Sequence, residues 1–289
     1  MKYPMALISS LIILFLTNST FAQNLRITPE QLKQELTKQI ILDARTNAAY
    51  QAGHIKGALS FPVNLTYQNK SINGKIAKPA KMQTLFRKLG ITKNSPIIVY
   101  DYGDMVDAAR LFWVLEVYGV EHIRILDHGY DYWLSKDYAI SLENTSIRKS
   151  DYIPTLNHKH LASKFTTQLA TRNTNQVVID ARSRSDYLGQ TSTAKRYGHI
   201  PTAVHIAASH NLSISNGMTH LKPINELKKL YQNIPKDKKI VIYCAIGRVS
   251  SMNYLALREL GYDVANYDAS WNEWGNDSKL PIEQATEHP

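Results

Sequence analysis

One thiol carries most of the chemistry this chain can offer. Cys244 is the only cysteine in 289 residues, and it stands between the run Ile240-Val241-Ile242-Tyr243 and the segment Ala245-Ile246-Gly247-Arg248-Val249-Ser250-Ser251. A short β-branched run reads as a buried strand, Gly247 marks a turn, and a helical pattern follows. A thiol at such a turn faces backbone N–H groups and the positive end of a helix dipole, a setting that favours a thiolate nucleophile. The plain alternative is an inert, buried cysteine acting as a small hydrophobe.

Other nucleophile chemistries fit less well. Cysteine-dependent phosphatases share the strand–cysteine–loop–helix layout, but they place an arginine clamp at the position held here by Ser250, whereas the guanidinium falls at Arg248. Phosphoryl transfer without that clamp lacks its charge stabilisation. A cysteine hydrolase needs a histidine base, for which His199 is the available residue. No His/Cys cluster has metal-ligand spacing and no phosphate-cradling glycine motif follows a strand, so neither a metal nor an organic cofactor is expected.

The elements that must hold this thiol occur twice. Ile41-Leu42-Asp43-Ala44-Arg45, Tyr50 and Gly53-His54-Ile55 are answered by Val178-Ile179-Asp180-Ala181-Arg182, Tyr187 and Gly198-His199-Ile200. Ile97-Ile98-Val99-Tyr100-Asp101 answers the strand that ends at Cys244, and Gly119, Asp127 and Trp133 answer Gly261, Asp268 and Trp274. A near-constant offset of this length means two copies of one domain, not a solenoid. In each copy short apolar runs alternate with helical patterns such as Ala108–Tyr118 and Asn253–Leu260, each stopped by a glycine. That alternation predicts two α/β domains, each a mainly parallel sheet with helices on both faces, and ligands outside the carboxyl ends of the strands. The boundary is expected in the polar stretch between Leu142 and Phe165, giving domains over 23–150 and 151–289.

Composition narrows the setting. A hydrophobic content of 44% supports two ordinary cores, and 34 basic against 24 acidic residues give a net charge of +10. The basic residues are scattered, so the surplus suits small anions and not nucleic acid. Lys2, the apolar stretch Met5–Thr17 and Thr20-Phe21-Ala22 read as a signal peptide over 1–22, cut before Gln23. The expectation is therefore an exported, periplasmic protein with no stable membrane insertion after cleavage. A single cysteine cannot form an internal disulfide, so chemistry explains the thiol better than architecture.

Taken in order, these residues resemble the rhodanese family, and in particular its tandem-domain sulfurtransferases. The marks are Asp180-x-Arg182, Gly198-His199-Ile200-Pro201, the Cys244 loop and the block Tyr267-Asp268-Ala269-Ser270-Trp271-Asn272-Glu273-Trp274, over nearly the whole mature chain. Asp101, in the place of the cysteine, matches a family arrangement in which the first domain keeps the fold without the nucleophile. Three departures bear on turn geometry: Ala269, Thr202 and His128 stand where the family has glycine.

The resemblance implies a two-step sulfur transfer in which Cys244 carries a persulfide. Ala245, Ile246, Gly247, Arg248, Val249 and Ser250 would wrap their N–H groups around it, and Arg248 would hold the anionic end of the donor. Ser250 and Ser251 would serve that sulfur or cap the helix. Arg184, Lys195 and Arg196 are candidates for the donor entrance, while Asp180, Arg182 and His199 are read as structural and Trp271 and Trp274 as packing. The expected partners are a small anionic sulfur donor and a thiol or cyanide acceptor. Thiosulfate is preferred for the basic balance and Arg248. The alternatives are 3-mercaptopyruvate, because small Ala245 follows the cysteine, and a non-catalytic sulfane-sulfur carrier.

Overall fold

The computed structural model describes residues 24–68 and 74–284; the predicted signal segment 1–22 lies outside them. Each half builds one five-stranded, all-parallel sheet. In the first, the strands run Arg26–Ile27, Ile123–Leu126, Ile97–Tyr100, Ile40–Asp43 and Leu59–Ser60 across the sheet. In the second, Leu161–Ala162, Val264–Tyr267, Lys239–Tyr243, Gln176–Asp180 and Val204–His205 repeat the same order. The two copies therefore share one topology, with the strand before Asp101 or Cys244 at the centre of each sheet. No helix or strand lies between Ser141 and Leu161. No helix among the described residues is long and apolar enough to cross a membrane.

Strand alternation decides which way the chemistry points. Ile97 and Val99, with Ile240, Ile242 and Cys244, belong to one core cluster shared by both halves. Ile98 and Tyr100 face a second cluster on the outer side of the first sheet, and Val241 and Tyr243 face a third on the outer side of the second. Cys244 continues the inward-facing set, so its thiol is directed to the junction between the halves.

That junction is made by the two helices that follow the central strands. Helix Val106–Val117 is buried from Ala108 to Val117, and helix Ser250–Glu259 is almost entirely buried. A helix buried on nearly every side needs cover on nearly every side, and the two obtain part of it by packing on each other. Phe112 meets Tyr254, whose hydroxyl donates to Glu116 (2.6 Å), and Arg258 pairs with the same carboxylate at 2.9 Å. Each half also sends residues toward the other. Tyr67 and Ile76 form a bridge, and Gly74 beside it touches the Cys244 loop, while the hairpin Leu212–Ser215 and Met218–Leu221 reaches the Asp101 loop, where His220 stacks on His128.

The three glycine replacements behave differently. Thr202 and His128 adopt φ of 64° and 65°, the left-handed region glycine would occupy without strain. Ala269 is right-handed helical at φ −76°, so that turn needs no glycine.

Candidate active site

The site is assembled from the strand end outward. Asp180 closes strand Gln176–Asp180, and its carboxylate takes the Arg182 guanidinium at 2.6 Å and the Tyr243 hydroxyl at 2.5 Å. Arg182 also donates to the Gly198 carbonyl, and Tyr243 accepts from the Ile200 N–H. His199 stacks on Tyr187 and bonds its carbonyl. The first half repeats every contact with Asp43, Arg45, Tyr100, Gly53, Ile55, His54 and Tyr50. Burial, reinforced by the Asp180 carboxylate, pushes the Tyr243 phenol well up, so it remains a donor. The same network is present in the copy without a cysteine, and it places Asp180, Arg182 and His199 beneath the loop as a matching set.

Cys244 is 1% exposed. Its N–H donates to the Ser270 hydroxyl (3.1 Å), and its carbonyl accepts from the Trp271 N–H (3.0 Å). The Tyr267–Trp274 block is thus the seat of the cysteine as well as packing. The Ser250 hydroxyl lies 3.3 Å from Sγ and 2.8 Å from Asn266 Oδ1, so its single proton serves one or the other. Ser251 donates to the Gly247 carbonyl, which also accepts from Asn266 and Arg110. Gly247 has φ +69°, and a Cβ there would lie 2.4 Å from the Asp268 carbonyl oxygen. Only glycine fits that turn.

Ala245, Ile246, Gly247, Arg248, Val249 and Ser250 carry six consecutive N–H groups that find no backbone acceptor among the described residues. Buried backbone donors are nearly always paired, so a loop of free donors around a buried sulfur is an anion cradle awaiting its charge. The first half shows the same device filled. Asp101 Oδ1 accepts from Gly103 and Met105, and Oδ2 from Asp107 and Ala108, at 2.9–3.3 Å.

The first domain closes the other side of the thiol. Arg110, fully buried in an otherwise apolar helix face, donates to the carbonyls of Gly247 and Gly74, each at 2.8 Å, and lies against the rings of Tyr67 and Trp113. A Cβ on Gly74 would overlap the Ile246 carbonyl, so the two backbones touch there. Ile76 donates its N–H to Asp268, and Lys75 pairs with Glu273 at 2.7 Å. Arg248 places Nε and Nη2 on Asp107 Oδ1, at 2.9 and 2.5 Å.

Two expectations need correction. Arg248 is at the loop, but its guanidinium is engaged by the first domain's Asp107, because the domain junction brings a carboxylate to it. Arg196, expected at the donor entrance, instead donates to the carbonyls of Trp274, Gly275, Asp277 and Leu280 and ties down the C-terminal segment. Exposed Arg184 and Lys195 make no described contact with the Cys244 loop; Arg184 begins a short helix and Lys195 bonds Asn276 through its N–H. Sequence reading passed over Asn266, Asp107, Arg110, Tyr67 and Gly74. A polar residue inside the strand Val264–Tyr267 and an arginine inside the run Ala108–Val117 were the available signals.

The comparisons agree with this geometry. Residues 28–136 and 163–277 match the rhodanese-like domain. The chain is 28% identical to the 3-mercaptopyruvate sulfurtransferase of Escherichia coli K12 over 83% of its own length and 87% of that protein's. It is 28% identical to the thiosulfate sulfurtransferase of Pseudomonas aeruginosa, over 89% and 96%. The crystal structure of SseA from Escherichia coli superposes with a TM-score of 0.76 and 25% identity, covering 86% of this chain and 99% of that one.

Proposed function

The chain belongs to the rhodanese family in its tandem-domain form, and from that premise we propose that it moves a sulfane sulfur from thiosulfate to a thiophilic acceptor through a persulfide on Cys244. The observation that carries the reading is the loop 245–250, whose N–H donors find no backbone acceptor among the described residues beside the buried Cys244, while the matching loop is filled by Asp101.

In the first step the Cys244 thiolate attacks the outer sulfur of thiosulfate. The S–S bond of the donor breaks, and sulfite leaves with the bonding electron pair. The new Cys–S–S⁻ anion replaces one negative sulfur by another one atom further out, where the loop donors stabilise it. In the second step cyanide or a thiolate attacks that outer sulfur, the Cys244 thiolate departs, and thiocyanate or a new persulfide is released. Neither step needs a proton-transferring base, which fits a site whose nearest histidine by sequence motif, His199, is scaffold. Ser250, with Asn266 behind it, supplies one side-chain proton to the sulfur.

A second donor, 3-mercaptopyruvate, is favoured by one observation. Asp107 offsets the charge of Arg248, which makes the mouth less attractive to a dianion and relatively kinder to a monocarboxylate. Steady-state rates with both donors separate the two, and mass spectrometry locates a sulfur adduct on the Cys244 peptide. Thiocyanate release that survives Cys244→Ser, or a wild type that binds one sulfur and never turns over, would reject the enzyme reading. We further propose export to the periplasm, supported by Lys2, the apolar stretch Met5–Thr17 and Thr20-Phe21-Ala22. Cell fractionation with N-terminal sequencing checks it, Gln23 being the expected first residue.

A further inference from the structure

Two polar groups of the first domain lie beside the Cys244 loop with hydrogen-bonding capacity left unused. The Tyr67 hydroxyl is buried and has no hydrogen-bond partner among the described residues. Arg110 is 0% exposed, pairs with no carboxylate among the described residues, and leaves Nε unbonded. The guanidinium lies 4.5 Å from the centre of the Tyr67 ring, and both side chains are within electrostatic reach of Cys244.

Packing alone does not account for this pair. A buried hydroxyl with no partner is destabilising compared with the phenyl ring that would fill the same space. The buried Arg110 cation has the Asp268 carboxylate within electrostatic reach but forms no ion pair with it among the described residues, so its desolvation is only partly offset. An anion beside both groups would give the hydroxyl its acceptor and add to the charge offset that Asp268 provides; the buried atom of the neighbouring loop that becomes an anion in the reaction is the Cys244 sulfur.

We propose that the first domain supplies half of the sulfur site: the Tyr67 hydroxyl donates a hydrogen bond to the outer sulfur of the Cys244 persulfide, and Arg110, stacked on that ring, is its fixed counter-charge. The inference rests on the sulfurtransferase reading above. Burial pushes the Tyr67 phenol up, so the hydroxyl keeps its proton while a negative sulfur lies beside it. The loop N–H groups then hold the sulfur from the second domain and Tyr67 holds it from the first. This gives the copy without a cysteine a reason to stay attached. Tyr67 touches the reacting atom, whereas Arg110 acts as a positioning residue through the Tyr67 ring and the Gly247 carbonyl.

The test uses the full chain and Tyr67→Phe, a change that removes only the unpartnered oxygen. Wild-type protein is first treated with thiosulfate and weighed; absence of a sulfur adduct overturns the sulfurtransferase reading and this inference with it. Given a loaded wild type, Tyr67→Phe is expected to lower kcat with cyanide about tenfold and to shorten the persulfide's lifetime in the absence of acceptor. The KM for thiosulfate should change little, and the melting temperature should stay level or rise. Wild-type kcat and persulfide lifetime in Tyr67→Phe would overturn the inference while leaving the enzyme intact. A loss of activity that tracks a falling melting temperature would overturn it too, because the hydroxyl would then be structural.

Discussion

The loops after the two central strands are one device in two states. In the first half a carboxylate fills its own cradle: Asp101 takes four N–H groups and is 1% exposed. In the second half a thiol sits at the same strand end, the loop is longer before its helix begins, and six N–H groups have no backbone acceptor among the described residues. The neighbouring charges differ as well. The recess beside Asp101, about 180 Å³, is lined by Asp104, Asp131 and His128, while the Cys244 loop meets Arg110 and Arg248. A main-chain cradle stabilises any anion of the right size; what distinguishes a structural turn from a reactive site is whether the anion is built in or delivered.

The comparison can be broken most directly at its centre. Cys244→Asp should fold with nearly wild-type stability, because the matching loop already holds a carboxylate, and should lose turnover by at least ~10³-fold as the nucleophile is gone. Thermal unfolding and thiocyanate release decide it, and a variant that fails to fold would show the two cradles to be unlike. Next in size is Gly247→Ala. The positive φ and the 2.4 Å approach to the Asp268 carbonyl should cost about 1–3 kcal/mol and roughly a tenfold loss of activity. Gly217→Ala, at φ +75° with nothing within 4 Å of the added carbon, supplies the control and should leave activity alone.

Smaller effects sharpen the charge contrast. Asp107→Asn should release Arg248 and lower the KM for thiosulfate about two- to fivefold, the scale of a partly exposed ion pair, with kcat unchanged. A raised KM would mean that Asp107 orients Arg248 for the donor and does not compete with it. The smallest effect concerns pH. Burial, and then Asp104, push the Asp101 carboxyl up to about 7, against the N–H donors that favour its ion. The folded carboxyl is therefore the anion of the cradle above about pH 7 and takes up a proton below it, whereas the unfolded chain takes one up only near the ordinary carboxylate value. The stability this group contributes is complete below about pH 4 and is lost as pH rises toward 7. Denaturant midpoints of wild type and Asp101→Asn across that window should converge or cross as pH rises, with thiosulfate turnover equal in both. Parallel midpoints would remove Asp101 from the pH response.

Much of the site was legible because repetition labels residues. Asp180, Arg182, Tyr243 and His199 have counterparts in a copy without the cysteine, so the duplication itself points to a structural role, and the same contacts recur in both halves. Arg196 was misjudged for the opposite reason. It lies in the insert of the second copy, has no counterpart to calibrate it, and finds its partners in carbonyls of the distant segment 274–280. Asn266 escaped notice because a single polar residue in an apolar strand gives no hint of which atoms lie across from it.

What the linear chain determined alone was local and periodic. Two α/β units, a strand ending at Cys244 and a glycine turn after it follow from residue type and pattern alone. What tertiary structure decided was the neighbourhood of the sulfur across the junction. Arg110, Tyr67, Asp107 and Gly74 reach it because two largely buried helices pack on one another and bring residues far apart in sequence into contact. Hydrophobic burial is non-directional, so the sequence demands that those helices be covered without saying which surface will cover them or which charges will arrive with it.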